Sequence, residues 1–186
     1  MPFAGPVIAD ILTDTATLVE PLVYTGRDQT FTVPAGYVTD FATVPQFVTW
    51  LVPRMGAYTR AAILHDWLCS RLDEARKSGR KGFLVQGKPV TARQVDGIFR
   101  RVMRESGTPV VRRWLMWTAV RWAALGDPAR RPGWLLDAPA VVGITVATLP
   151  VLLPVSVVVL GGLAVYTAAE DVVTRVSGKP TPPAGT

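Results

Sequence analysis

An acid–base or metal-binding site could be built from four polar side chains: Asp40, His65, Asp66 and Asp96. His65 is the single histidine of the chain, and a histidine with carboxylates suits a divalent cation or general-base catalysis. A catalytic zinc ion, however, usually takes a second histidine or a cysteine as ligand. Cys69 lies one helical turn after His65 and is the only cysteine, which also excludes an internal disulfide. These residue types leave the metal, and any other cofactor, unidentified.

The same four residues also have a structural interpretation, which we favour. Asp40 precedes a predicted helix start and could cap it. His65 could hydrogen-bond to Asp40 or Asp96, and Asp96 lies four residues before Arg100, the spacing of a helical ion pair. Asp66 would then face water. We therefore predict a polar cluster that ties a strand layer to two helices, rather than an enzyme. A glycine-rich phosphate loop, a nucleophile elbow and zinc-ribbon spacing do not occur in the sequence.

The elements that would position these side chains indicate a small α+β domain over residues 1–133. Short β-branched runs separated by turn residues predict strands within residues 6–33. Three helices are predicted: one capped by Thr59 and ending near residue 72, one opened by a Thr91–Gln94 capping box, and one opened by Pro109. The buried stripe predicted for the second helix consists of Val95, Ile98, Phe99, Val102 and Met103. The basic segment 74–88 is predicted to be an exposed loop. The expected fold is therefore a small N-terminal antiparallel β layer packed on about three helices.

A long apolar segment follows this domain. Residues 138–169 contain no charged side chain, and this run exceeds the roughly 20 residues that a membrane-spanning helix needs. Pro150 and Pro154 divide the run, so either one kinked helix or a hairpin of two short arms fits the sequence. We predict that residues 134–171 form a hydrophobic helix or helical hairpin that inserts into a membrane. Residues 172–186 are predicted to be a disordered tail.

The positive charge of the chain lies just before the apolar segment. Residues 100–133 carry eight arginines against two acidic residues, which equals the net charge of +6 for the whole chain. A basic region can bind nucleic acid or anionic lipid. Its continuity with the apolar segment favours lipid, without specific nucleic acid, and the positive-inside rule places it on the cytoplasmic side.

Tryptophans accompany these arginines. They are Trp114, Trp117, Trp122 and Trp134. Tryptophan with arginine ahead of an apolar span is typical of a membrane–water interface. An equally good alternative is a core helix of the domain whose arginines reach outward to water.

Two runs of the sequence are distinctive: FTVPAGYVTDFATVP at residues 31–45 and AAILHDWL at residues 61–68. Together with residues 95–103 and 119–121, they resemble the phage and prophage family catalogued as domain of unknown function number 1353, over residues of about 25–126. The resemblance implies a bacteriophage origin, with a gene near tail or lysis modules, and no established activity. Gln46 and Cys69 depart from the family, which often has a basic and an aromatic residue at these positions.

From these features we expect a virion-associated protein of the phage tail tip, located in the virion and/or the host inner membrane. Its partners would be other tail proteins, host membrane lipids and further copies of itself. Its apolar segment would serve host envelope penetration or tail assembly. One alternative is a holin-like or accessory membrane protein of the lysis module. Another is a metal-dependent peptidoglycan hydrolase that uses Asp40, His65, Asp66 and Asp96.

Overall fold

The fold combines short antiparallel strands with helices, which confirms the predicted α+β class. The computed structural model describes residues 3, 9–12, 15–27, 29–39 and 56–177. Within these residues the strands are β1 (Ala9–Leu12), β2 (Thr15–Leu18), β3 (Leu22–Thr25), β4 (Thr30–Val33), β5 (Val38–Thr39), β6 (Phe83–Val85) and β7 (Lys88–Val90). The helices are α1 (Thr59–Lys77), α2 (Ala92–Glu105), α3 (Val110–Ala123) and α4 (Trp134–Val176).

The N-terminal strands form a β layer with a buried face. Strands β1, β2 and β5 form an antiparallel sheet in that order, and β3 pairs with β4 as a hairpin. Because side chains alternate along a strand, the hairpin buries Leu22, Tyr24, Phe31 and Val33. Tyr24 and Phe31 are opposite each other in register, and their ring centroids are 6.2 Å apart. Such a cross-strand aromatic pair stabilises the hairpin.

Helices α1 and α2 pack against each other and against this layer, and they supply much of the core. The apolar side chains predicted for α2 are all buried: Val95, Ile98, Phe99, Val102 and Met103. The helix begins at the predicted capping box, where the Gln94 side chain accepts the Thr91 N–H at 2.8 Å. That contact satisfies a backbone donor which the helix itself leaves unpaired.

The segment 74–88 is not the exposed loop that the sequence predicts. Helix α1 continues to Lys77, and β6 and β7 then form a hairpin. The turn residues Gln86 and Gly87 have φ angles of 50° and 76°, as a type I′ turn requires. Gln-Gly lacks the Asn or Asp that usually marks such a turn, and each strand has only 3 residues. The pattern is therefore too short for a sequence rule to detect.

The C-terminal segment is one helix, so of the two alternatives the structure shows the single helix. Helix α4 has 43 residues and continues through Pro139, Pro150 and Pro154, a length of about 65 Å at 1.5 Å per residue. It is long and apolar enough to cross a membrane, with a mean hydropathy of 2.3 over an 18-residue window. Val141 is its one buried residue, so the domain covers only the first turns of α4.

Replacing Leu64 by alanine should destabilise the domain strongly. Leu64 lies in α1 with 1% of its surface exposed, and truncating a buried leucine costs about 2–5 kcal/mol because the neighbours cannot fill the cavity. Leu84→Ala is the matched control, since Leu84 is 70% exposed and a surface substitution changes the free energy of unfolding by roughly 0.5 kcal/mol or less. Guanidinium titration of the full chain in a mild detergent measures both losses. Equal losses would contradict the assigned core.

Candidate functional site

A buried carboxylate lies where the helices of the domain meet. Asp96, in α2, is fully buried. Its Oδ1 accepts hydrogen bonds from His65 Nε2 at 2.7 Å and from Arg130 Nη2 at 2.9 Å. Its Oδ2 accepts one from Arg121 Nη1 at 2.8 Å. Because His65 lies in α1 and Arg121 in α3, while Arg130 lies between α3 and α4, one carboxylate joins three helices.

A second carboxylate extends these contacts to α4. Asp137, in the first turn of α4, accepts a hydrogen bond from Arg93 Nε at 3.0 Å, and its Oδ2 lies 3.3 Å from Arg121 Nη2. Trp134 Nε1 donates to the backbone carbonyl of Arg121 at 2.7 Å. Polar contacts therefore fix the base of the apolar helix to α2 and α3. We call the connected side chains the Asp96 network: His65, Asp96, Arg121, Arg130 and Asp137.

The Asp96 network stays charged although it is buried. Burial alone would raise the pKa of Asp96, but the hydrogen bond and charge of His65, the charge of Arg130 and the hydrogen bond from Arg121 hold that pKa below its usual range. Arg121 is also fully buried, and it has Asp137 as a second acidic neighbour. Charges outside water are tolerated only when they are paired and hydrogen-bonded. Removal of one partner would leave an uncompensated charge in the core.

His65 is held by contacts with an aromatic ring, a carboxylate and a thiol. Its ring centroid lies 4.6 Å from that of Phe99. Burial lowers the pKa of His65, but Cys69 and Asp96 raise it, with a resulting pKa of about 9. Cys69 Sγ lies 3.7 Å from Nε2 and 3.9 Å from Nδ1 of the ring. Because Nε2 already donates its N–H to Asp96, Nδ1 is the ring nitrogen left to accept a proton from the thiol, and it is the more distant of the two from the sulfur.

Of the four residues predicted for a site, the structure brings two together. His65 and Asp96 hydrogen-bond to each other, which is one of the two contacts expected for the histidine. Asp66, about 100° further around the helix, lies beside the Tyr37 hydroxyl, and burial together with this carboxylate raises the pKa of Tyr37. Asp40 is outside the described residues. Within the described part of the chain, no three His, Cys, Asp or Glu side chains are close enough to hold a metal ion.

Sequence reasoning missed the arginines of the Asp96 network. The expected ion pair of Asp96 with Arg100 is wrong, because the Arg100 guanidinium lies over the ring of Trp114, 4.3 Å from its centroid. Asp96 instead binds Arg121 and Arg130, which follow it by 25 and 34 residues. The one available signal is that Arg121 stands alone between apolar residues of α3. The assumption that every arginine side chain is exposed to solvent ignores that signal.

The four tryptophans predicted at a membrane interface occupy two environments. Trp117 is buried in the domain at 5% exposure, and Trp114 packs edge-on against it with ring centroids 5.5 Å apart. Trp122 and Trp134 lie together at the base of α4, with ring centroids 5.5 Å apart. Helix α3 therefore has a core face, as the alternative interpretation expects. That interpretation is wrong for Arg121, which points inward instead of reaching water.

Asp96→Ala should lower the free energy of unfolding by about 3–5 kcal/mol, because it removes the carboxylate that Arg121 and Arg130 share and leaves buried Arg121 with the more distant Asp137. Asp73→Ala is the control, since Asp73 pairs with the exposed Lys77 on the surface of α1 and such pairs contribute roughly 0–1 kcal/mol. Thermal unfolding of the full chain in detergent, followed by circular dichroism, compares the two variants. A similar small loss in both would show that the network is not a buried ion cluster.

The His65 contact should make stability depend on pH. Its folded-state pKa of about 9 exceeds the ordinary value of about 6.5, so protonated His65 stabilises the fold fully below about pH 6.5 and this contribution is lost as pH rises through about 9. His65→Gln should remove that part of the pH dependence. Melting temperatures of both chains at about pH 6 and about pH 9.5 test this. Parallel pH curves would mean that the pKa of His65 does not change when the chain folds.

Comparison with known proteins assigns the family but no activity. The family described as "Protein of unknown function (DUF1353)" matches residues 16–120, which is more than half of the chain and includes His65 and Asp96. Arg121, Arg130 and Asp137 lie beyond the matched region. No curated protein and no solved structure matches the chain. The family match and the motifs around His65 and Asp96 agree, and the chain belongs to the DUF1353 family.

Proposed function

We propose that this chain is a membrane-anchored bacteriophage protein, in which α4 enters a lipid bilayer and holds the DUF1353 domain at its surface. The observation that carries this proposal is the exposed apolar surface of α4, a helix of 43 residues in which one side chain is buried. Val151, Val158 and Val165 are among its many exposed apolar residues. A soluble monomer rarely exposes more than a few hundred Å² of contiguous apolar surface. The apolar surface of this helix must therefore be buried away from water, and a lipid bilayer is a suitable environment for the uncharged run of residues 138–169.

Polar residues at both ends of the run are consistent with insertion. Asp137, paired with Arg121, and Trp134 would lie at the headgroup level on the domain side, where tryptophan is enriched. Glu170 and Asp171 end the run on the other side. The run is about 48 Å long at 1.5 Å per residue, longer than the roughly 30 Å of hydrocarbon. A tilted helix with ends in the headgroup layers accommodates this excess, and Pro150 and Pro154 then lie near the bilayer centre.

The basic domain would face the cytoplasm of the infected cell. Residues 100–133 carry the net charge of the chain on the domain side of α4, and basic flanks are retained on the cytoplasmic side of a membrane. The attraction between these arginines and the anionic lipids of the cytoplasmic leaflet also favours this orientation.

The phage role that these features support best is a tail-tip protein with tail proteins, host lipids and further copies of itself as partners. The motifs shared with phage and prophage proteins support the origin, and an apolar helix sheltered until infection suits envelope penetration. The hydrolase alternative has less support, because His65 hydrogen-bonds to Asp96, and two arginines occupy the same carboxylate. The remaining second candidate is a lysis-module membrane protein, which the exposed α4 would also suit.

Mass spectrometry of purified particles of the encoding phage tests the tail assignment. We expect a few copies of the chain in each particle, because a tail-tip component is present at low stoichiometry. The control is a membrane fraction of infected cells, processed in parallel. Absence from particles together with recovery from that fraction would overturn the tail role and favour the lysis module.

Leu153→Arg combined with Val157→Arg should weaken membrane anchoring. Each arginine near the bilayer centre costs roughly 2.5–3.5 kcal/mol on insertion scales. Val172→Arg combined with Val176→Arg is the matched control, since both residues lie after the apolar run. Alkaline carbonate should extract the first variant from host membranes and leave the wild type and the control in the pellet. Extraction of all three chains alike would contradict anchoring by α4.

A further inference from the structure

An arginine-lined cleft opens on the side of the domain beside the base of α4. Its volume is about 910 Å³, and β3, β4, β7, α2, α3 and the first turn of α4 contribute to its walls. Six arginines line it: Arg27, Arg93, Arg100, Arg101, Arg104 and Arg113. The one acidic side chain among its described lining residues is Asp137. The volume lies within the range of about 300–1,000 Å³ that is usual for ligand sites.

The positive charge of this arginine cleft is largely uncompensated. Arg93 pairs with Asp137, whereas Arg100, Arg101, Arg104 and Arg113 form no ion pair within the part of the chain that the structure describes. Burial and the charges of Arg113 and Arg104 hold the pKa of Arg100 below its ordinary value, although Asp137 acts in the opposite direction. Crowded like charges are unfavourable, and an anion in the cleft would relieve that repulsion.

Arg100 is also held in place before any ligand arrives. Its guanidinium carbon lies 4.3 Å from the ring centroid of Trp114 and 5.1 Å from that of Trp117. Contact with an aromatic ring restrains a long side chain and does not consume its N–H donors. A planar guanidinium with free donors binds two oxygens of a phosphate group at once. Arg100, restrained at the wall of the cleft, is therefore suited to bind a phosphate oxyanion.

We propose that the arginine cleft binds the phosphate of an anionic phospholipid headgroup, an inference that rests on the proposed membrane anchoring. The placement of the cleft favours lipid as the source of the phosphate. Asp137 lines the cleft and lies one residue before the uncharged run of α4, so the cleft is at the level where headgroups surround an inserted helix. A nucleic acid would have to approach a negatively charged membrane surface to reach the same place.

Calorimetric titration of the full chain in a neutral detergent tests the site. The probe is dihexanoyl phosphatidylglycerol, and dihexanoyl phosphatidylcholine is the zwitterionic reference. We expect saturable binding of the anionic lipid alone. Arg101→Gln with Arg104→Gln should weaken binding on the order of 30-fold, since each basic residue near an anionic headgroup contributes about fivefold. Both side chains are exposed, and Arg100 keeps its tryptophan contacts in this variant.

The matched control is Arg76→Gln with Arg80→Gln, which removes the same charge from exposed positions outside the cleft. Its affinity for the anionic lipid should equal that of the wild type. Equal binding of the two lipids, or an equal loss in both double variants, would overturn the proposal, because it would show partitioning into micelles or diffuse electrostatics. A normal melting temperature of the cleft variant excludes misfolding as the cause, and Arg100→Gln provides a second variant with the same expected direction.

Two competition experiments distinguish a lipid headgroup from other sources of phosphate as the ligand of the cleft. Inorganic phosphate should displace the lipid only weakly, and a short single-stranded oligonucleotide should require a higher concentration than the lipid. Displacement by either one at a lower concentration than the lipid would overturn the lipid assignment. Binding in detergent does not require a bilayer, so a failure here is distinct from a failure of α4 to anchor the chain, which carbonate extraction measures.

Discussion

The carboxylate of Asp96 fixes how the helices of this domain are turned toward one another. Helix α3 is apolar over much of its surface, so hydrophobic packing alone defines its rotation weakly. Arg121 removes that freedom, because its guanidinium must meet Asp96 in the buried space between α3 and α2. A buried ion pair often adds little net stability compared with apolar residues of the same volume. Its contribution here is specificity, since another rotation of α3 would leave the charge of Arg121 unpaired among apolar side chains.

The same constraint continues into α4. Arg121 lies between Asp96 and Asp137, so the rotation of α3 and the base of the apolar helix are determined together. Asp137 also lines the arginine cleft and pairs there with Arg93. The cleft, the Asp96 network and the apolar helix therefore share one side chain. The position of the cleft relative to the apolar helix therefore follows from the direction in which α4 leaves the domain.

Local sequence patterns are enough to predict most helices of this chain, but they do not predict which side chains form the Asp96 network. The capping box and apolar stripe of α2 are local signals, and the structure confirms both, whereas three-residue strands hide the β6–β7 hairpin. His65 and Asp96 stand out because each is polar on an otherwise apolar helical face. Arg121 and Arg130 do not, because their burial depends on a carboxylate 25 and 34 residues away. Apart from the position of Arg121 between apolar residues of α3, no local property distinguishes them from the exposed Arg104.

Because α4 contains Pro150 and Pro154, its sequence fits either one kinked helix or a helical hairpin. The structure has the single helix. A proline has no N–H, so Pro150 and Pro154 each leave one carbonyl, four residues earlier, without its helical partner. A hairpin at the same place would end one helix and begin another, which leaves roughly four carbonyls and four N–H groups unpaired within the helices. In an apolar environment each unpaired group is costly. The loss of two helical hydrogen bonds costs less free energy than the larger number of unpaired groups at a turn, so the helix continues through both prolines.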